Sequence, residues 1–103
     1  MTENEFSLRL AALRNQKGVS ARDMSLSMGQ NPGYINNIES GKAMPSLMGF
    51  FYICEYLNIA PEEFFDQSIK NPEKLRDIIK ELKGLDAETL DYLLKFIKKL
   101  RNS

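Results

Sequence analysis

Apolar positions recur at steps of three and four along most of this chain, which is the spacing of amphipathic helices rather than strands. Phe6, Leu10 and Leu13 predict a first helix over about residues 3–17, with Ala11 and Ala12 filling close contacts and Gly18 as its stop. Ser20 then reads as an N-cap. Asp23, three residues on, completes a capping box, and Val19 and Met24 are placed as a hydrophobic staple. Met24 and Met28 share a face of a short second helix that ends at Gly29, where a left-handed backbone angle costs glycine little. Asn31 is expected to cap a third helix, with Pro32 at its first position and Ile35 and Ile38 pointing into the core. Ser25 is the small residue where these two helices must approach closely.

After a loop from Gly41 to Pro45, Ser46 is expected to cap a fourth helix, about Leu47–Leu57. Leu47, Phe50, Phe51, Ile53, Cys54 and Leu57 surround most of it, which predicts a central, buried helix. Pro61 starts a short fifth helix, to about Gln67, that should bury Phe64 and Phe65. Residues 68–71 connect to a second cap-plus-proline pair, Asn71-Pro72. Helix 6, to about Lys83, carries Leu75, Ile78, Ile79 and Leu82, and Gly84 ends it. Asp86 caps helix 7, Leu85 and Leu90 staple its start, and Leu90, Leu93, Leu94, Ile97 and Leu100 form its stripe, widened by Tyr92 and Phe96.

The last two helices carry more apolar surface than they can bury in each other. About 600 Å² of surplus, at roughly 25 cal/mol per Å², is on the order of 15 kcal/mol before entropy costs. It is expected to be covered either by the first domain or by another copy of the chain. The expected architecture is all-α: a five-helix domain over residues 1–68 and a C-terminal helical hairpin over 69–103.

The stretch from Ala21 to Ser40, ARDMSLSMGQNPGYINNIES, carries a more specific pattern. It has a small residue at Ser25, glycine at Gly29 and branched aliphatics at Ile35 and Ile38, and it runs on into Ile38-Glu39-Ser40-Gly41-Lys42-Ala43-Met44-Pro45-Ser46. In these positions, and in the I-E-x-G-K-x-x-P-S tail, the chain resembles the phage-repressor family of Cro/CI-type (XRE) helix-turn-helix proteins. The resemblance covers about residues 5–66. It implies double-stranded DNA as the partner, with the third helix in the major groove and its early residues at base edges.

Carried onto this sequence, the base-facing positions are Pro32, Gly33, Tyr34, Asn36 and Asn37, with Asn31 as the cap before them. Pro32 and Gly33 offer no side-chain hydrogen bond, so direct readout falls mainly to Asn37, with Asn36 nearby. Asparagine pairs in bidentate fashion with adenine N6 and N7. Gly33 lets the helix start come close to DNA, where free N–H groups of the first turn would meet a phosphate. Tyr34 is expected on a phosphate or sugar through its hydroxyl. The family's usual glutamine is replaced by Ala21, which leaves a phosphate contact to Arg22, and Lys42 is a further one. Glu39 is expected to be structural. The resulting expectation is modest direct readout, with DNA shape, half-site spacing and cooperative dimers supplying the rest.

Charge changes this picture only in part. The chain carries 14 basic and 14 acidic residues, with net −2 over residues 1–70 and +2 over 71–103. That is not the basic footprint usual for a nucleic-acid binder, although Arg14, Lys17, Arg22 and Lys42 flank the motif. The sequence has no histidine, no glycine-rich phosphate loop and no paired metal-ligand spacing, so no enzyme, cofactor or metal site is expected. Cys54 lies in the longest apolar run, the eight residues Leu47–Cys54, and reads as a small buried hydrophobe. That run is far short of a membrane span. The acidic start MTENEFS is not a signal peptide, and a cytoplasmic protein is expected.

The function expected is a DNA-binding transcriptional regulator, repressor rather than activator, acting on an inverted repeat as a homodimer through residues 72–101. The alternative is a protein-interaction module of antitoxin or anti-repressor type, with a small protein partner competing for the hairpin. RNA binding is disfavoured because the aromatics mostly fall at helical core spacing rather than on an exposed platform.

Overall fold

Seven helices and no strand form among the described residues, 1–102, of the computed structural model. They are α1 (Glu3–Lys17), α2 (Ala21–Ser27), α3 (Tyr34–Glu39), α4 (Leu47–Leu57), α5 (Pro61–Phe65), α6 (Pro72–Leu82) and α7 (Ala87–Arg101). The chain divides into two compact units, Met1–Pro72 and the residues from Glu73 onward. No helix among the described residues is long and apolar enough to cross a membrane.

Local chemistry accounts for most helix ends. Thr2, Ser20, Ser46 and Asp86 each accept a hydrogen bond from the backbone N–H three residues on, at 3.1, 3.0, 3.0 and 2.9 Å. Each satisfies a donor that the helix itself cannot. At the far ends of α2 and α3 the chain turns in the same way. Gly29 N–H donates to Leu26 O and Gln30 N–H to Ser25 O; Gly41 N–H donates to Ile38 O and Lys42 N–H to Asn37 O. These are paired Schellman bonds, and they need a left-handed residue, which Gly29 and Gly41 supply at φ 74° and 81°.

In the first unit, α1 contributes Phe6, Leu10 and Leu13 to a core completed by Met24, Ile35, Ile38, Phe50, Ile53, Cys54, Leu57, Ile59 and Phe64. Phe6, Phe50 and Phe64 stack at its centre, with centroids 4.8 to 5.8 Å apart. Burial pushes the Cys54 thiol up to about 11, helped by the charge of Glu62.

Several expectations are corrected here. α4 is not buried all round. Phe50, Ile53, Cys54 and Leu57 are inside, but Leu47 is 69% and Phe51 41% exposed, so α4 forms one wall of the core. α5 ends at Phe65, and Phe65 is half exposed, with its ring leaning on Phe50 at 5.2 Å. Ala12 faces solvent, and α6 stops at Leu82, one residue early.

Arg9 is one of the chain's 14 basic residues. It is buried, and it gathers the chain after α5. Its Nε donates to Phe64 O at 2.7 Å, and its Nη2 to the carbonyls of Glu63, Asp66 and Ile69 at 2.7, 3.1 and 2.9 Å. A cation here also suits the carbonyl end of a helix. Gln16 Nε2 donates to Lys70 O, so α1 holds the connector along its length.

The second unit is the α6–α7 hairpin. Leu82 and Leu93 are half buried, whereas Leu75, Ile78, Ile79, Leu90, Leu94, Ile97 and Leu100 are 38–59% exposed.

Candidate nucleic-acid interface

Ser25 joins the two motif helices. Fully buried, its hydroxyl donates to Ala21 O at 2.7 Å and accepts from Ile35 N–H at 3.0 Å. The small side chain anticipated from sequence therefore also satisfies a backbone donor at the start of α3. Ile35 and Ile38 are buried beneath, which turns Asn36 and Asn37 to the exposed side.

α3 begins later than its sequence signals suggested. Asn31 is not its N-cap and Pro32 is not its first residue; Gly33 is the cap and Tyr34 the first helical position. Asn31 instead closes a turn, with its Oδ1 accepting from Gly33 N–H at 3.0 Å and its carbonyl accepting from Tyr34 N–H at 3.1 Å. Proline at the second position of such a turn has its preferred φ, so Pro32 shapes the turn rather than the helix.

This corrects a second expectation. Two N–H groups of the first turn are engaged inside the protein, Tyr34 with Asn31 O and Ile35 with Ser25 Oγ. They are not free for a phosphate.

Gly33 lies between the two carboxamides. A Cβ built on it would stand 3.7 Å from Asn31 Oδ1 and 3.8 Å from Asn37 Nδ2. The turn thus brings Asn31, Gly33 and Asn37 together, with Pro32 exposed beside them. Tyr34 is half buried and packs on the core. Its hydroxyl sits 2.6 Å from where a Cβ of Gly49 would be, against the first turn of α4. Arg22 and Lys42 are exposed. The backbone of the loop after α3 is drawn in by Asn37 O, which accepts from Lys42 and Ala43 N–H at 2.9 and 3.1 Å.

Not every flanking base faces outward. Arg14 Nε and Nη2 grip Glu39 at 2.6 and 2.9 Å, and Arg14 Nη1 donates to Val19 O at 2.8 Å. Glu39 is structural, as expected, and Arg14 is committed to it. Lys17 Nζ lies over the Tyr56 ring, 5.6 Å from its centre.

The helix-turn-helix domain family matches residues 8–68, more than half of the chain and all of the α2–turn–α3 unit. The chain belongs to the phage-repressor-like helix-turn-helix family. It is a DNA-binding transcription regulator of that family. Among solved structures, the restriction-modification controller protein C.AhdI from Aeromonas hydrophila is similar, with a TM-score of 0.56 and 29% identity over 60% of this chain and 90% of that one. No curated protein matches the chain by sequence.

Two features of this regulator's fold escaped sequence reasoning. Gly49 makes room for Tyr34, and its only trace in the sequence is a glycine inside the otherwise apolar run Leu47–Cys54. Arg9 left a clearer sign, a charged residue between Phe6 and Leu10 on the inward side of α1.

Proposed function

We propose that this protein is a transcriptional repressor that binds an inverted-repeat operator as a homodimer. Asn31, Pro32, Gly33, Asn36 and Asn37 face the major groove, Arg22 and Lys42 contact phosphates, and Tyr34 reaches the backbone from the edge of the surface. The observation that carries the reading is the division of α3. Its branched residues Ile35 and Ile38 are buried while Asn36 and Asn37 stay exposed on a helix anchored by Ser25. Asparagine amides on such a face suit adenine, and exposed basic side chains beside them suit phosphates.

The C-terminal hairpin supports the dimer. Its exposed leucines and isoleucines form a stripe that a second hairpin covers in a four-helix arrangement. A two-fold dimer places its reading helices on half-sites about one helical turn, roughly 34 Å, apart.

Selection of DNA from a random pool at two salt concentrations tests this reading. The expected product is an inverted repeat, and the fall of log affinity with log salt counts the phosphates engaged, at about 0.9 per contact. Failure to enrich any motif would remove the operator-binding reading and direct attention to a protein partner for the hairpin.

A further inference from the structure

Ala87, Leu90, Leu94 and Ile97 follow one another along α7 at steps of three, four and three, the spacing of a seam between paired helices. Leu93, beside that seam, is half buried. Leu90, Leu94 and Ile97 on it are 38%, 51% and 45% exposed.

The charges beside this seam are ordered. Asp91 and Lys98 are seven residues apart, two helical turns, and so lie along the same edge of it. Both are exposed, and neither side chain has an ion-pair partner among the described residues. Within α7 the acids Glu88 and Asp91 all precede the bases Lys95, Lys98, Lys99 and Arg101. Such a helix is its own complement when reversed. In a two-fold pair of antiparallel helices, each edge of the seam meets the same edge of the other helix in opposite order. Asp91 of each copy then faces Lys98 of the other. In a parallel pair this edge would meet the opposite edge, where Leu93 and Leu100 stand, and the two charges would find no partner.

We propose, resting on the homodimer reading above, that α7 pairs antiparallel with α7 of a second copy along this seam, locked by two symmetric Asp91–Lys98 ion pairs. The apolar stripe supplies the association, and the charge order supplies the choice of partner. An uncharged seam accepts any amphipathic helix, whereas this one rejects helices that bring like charge opposite Asp91 or Lys98.

Charge exchange in the full chain tests this. Asp91→Lys places base opposite base, and Lys98→Glu places acid opposite acid, at two symmetric points in each dimer. Sedimentation equilibrium in low salt should find each variant dimerising about ten-fold more weakly than the wild type. An equimolar mixture of the two variants should recover wild-type affinity, because the exchanged charges then face each other. That recovery also separates lost pairing from lost folding, and circular dichroism should show wild-type helix content in both variants. In about 1 M salt the differences should shrink, since exposed charges are screened. The proposal is overturned if either variant dimerises as tightly as the wild type, or if the mixture is no tighter than its components. A wild-type dimer that ignores the exchange leaves the homodimer reading standing and removes this inference alone. A wild-type chain that stays monomeric removes both.

Discussion

Arg14 and Glu39 form a two-point ion pair between α1 and the last turn of α3, with Nε–Oε2 at 2.6 Å and Nη2–Oε1 at 2.9 Å. The side chains are only 15% and 12% exposed, so the pair is well shielded from water. Through Val19 O the same guanidinium also holds the chain leading into α2. Arg14 thus sets both motif helices against α1. Arg14→Ala strands a shielded carboxylate and should cost about 2–3 kcal/mol of stability. Glu39→Gln keeps an acceptor and should cost less. Urea unfolding of the two single variants and the double variant measures the coupling, and additive losses would show that the pair does not act as a unit.

Arg9 should matter as much, although it lies far from the motif. Its guanidinium serves four carbonyls, and burial lowers its pKa, opposed by the charge of Asp66. Arg9→Met keeps the apolar stem and removes every one of those bonds. The expected loss is about 2–3 kcal/mol, with amide exchange rising first in residues 63–70. Uniform exchange across the first unit would contradict this local role.

Asn37 and Lys42 should separate specificity from affinity. Asn37→Ala removes an exposed side chain, so the melting point should hold while discrimination at one base pair per half-site falls by about 1–3 kcal/mol. Lys42→Ala should weaken binding to all sequences alike and reduce the salt slope by about one per site. A changed sequence profile for Lys42→Ala, with the slope intact, would reverse the assignment.

The hairpin can be tested by one charge. Leu94 and Ile97 are 51% and 45% exposed on α7. Leu94→Glu places a carboxylate where the proposed dimer buries apolar surface. Sedimentation should show wild-type dimer and variant monomer, with the far-ultraviolet helix signal of the first unit retained. Operator affinity should fall steeply because one half-site is lost. A variant that remains dimeric would move the interface elsewhere.

Acid should loosen the start of α7. Hydrogen bonds from Thr89, side chain and backbone, hold the Asp86 carboxyl below the usual aspartate value. Ser68 does the same for Asp66. A depressed folded-state pKa contributes stability at pH above the unfolded value, about 3.9, and that contribution is lost as pH falls through the lower folded value. Asp86→Asn caps without titrating. Helicity of α7 should therefore decline below about pH 3.9 in the wild type and stay flatter in Asp86→Asn, as read by circular dichroism. Equal profiles would show that the cap carries no pH dependence.

Local chemistry made much of the molecule legible in advance. The caps Ser20, Ser46 and Asp86, the stops Gly18 and Gly29 and the buried stripes of α1 and α3 all act within a few residues of themselves. The fixed spacing from Ser25 to Ile35 and Ile38, which marks the family, is also plain in the sequence. The start of α3 misled for an instructive reason. Asn31-Pro32 is a good cap-plus-proline pair and an equally good turn, and the choice depended on Ser25, ten residues away, taking the Ile35 N–H.

What the sequence determined by itself is therefore the set of helices, most of their ends and the motif they form, because each rests on hydrogen bonds and side-chain contacts within one or two turns. What only the tertiary structure decided is how side chains are used across long separations. It spends Arg14 on Glu39 and Arg9 on carbonyls 54 to 60 residues away. It turns one side of α4 outward, seats the Tyr34 hydroxyl over Gly49 and leaves Gly33 open between Asn31 and Asn37. Those outcomes depend on which surfaces meet when the helices pack, and no local pattern contains that information.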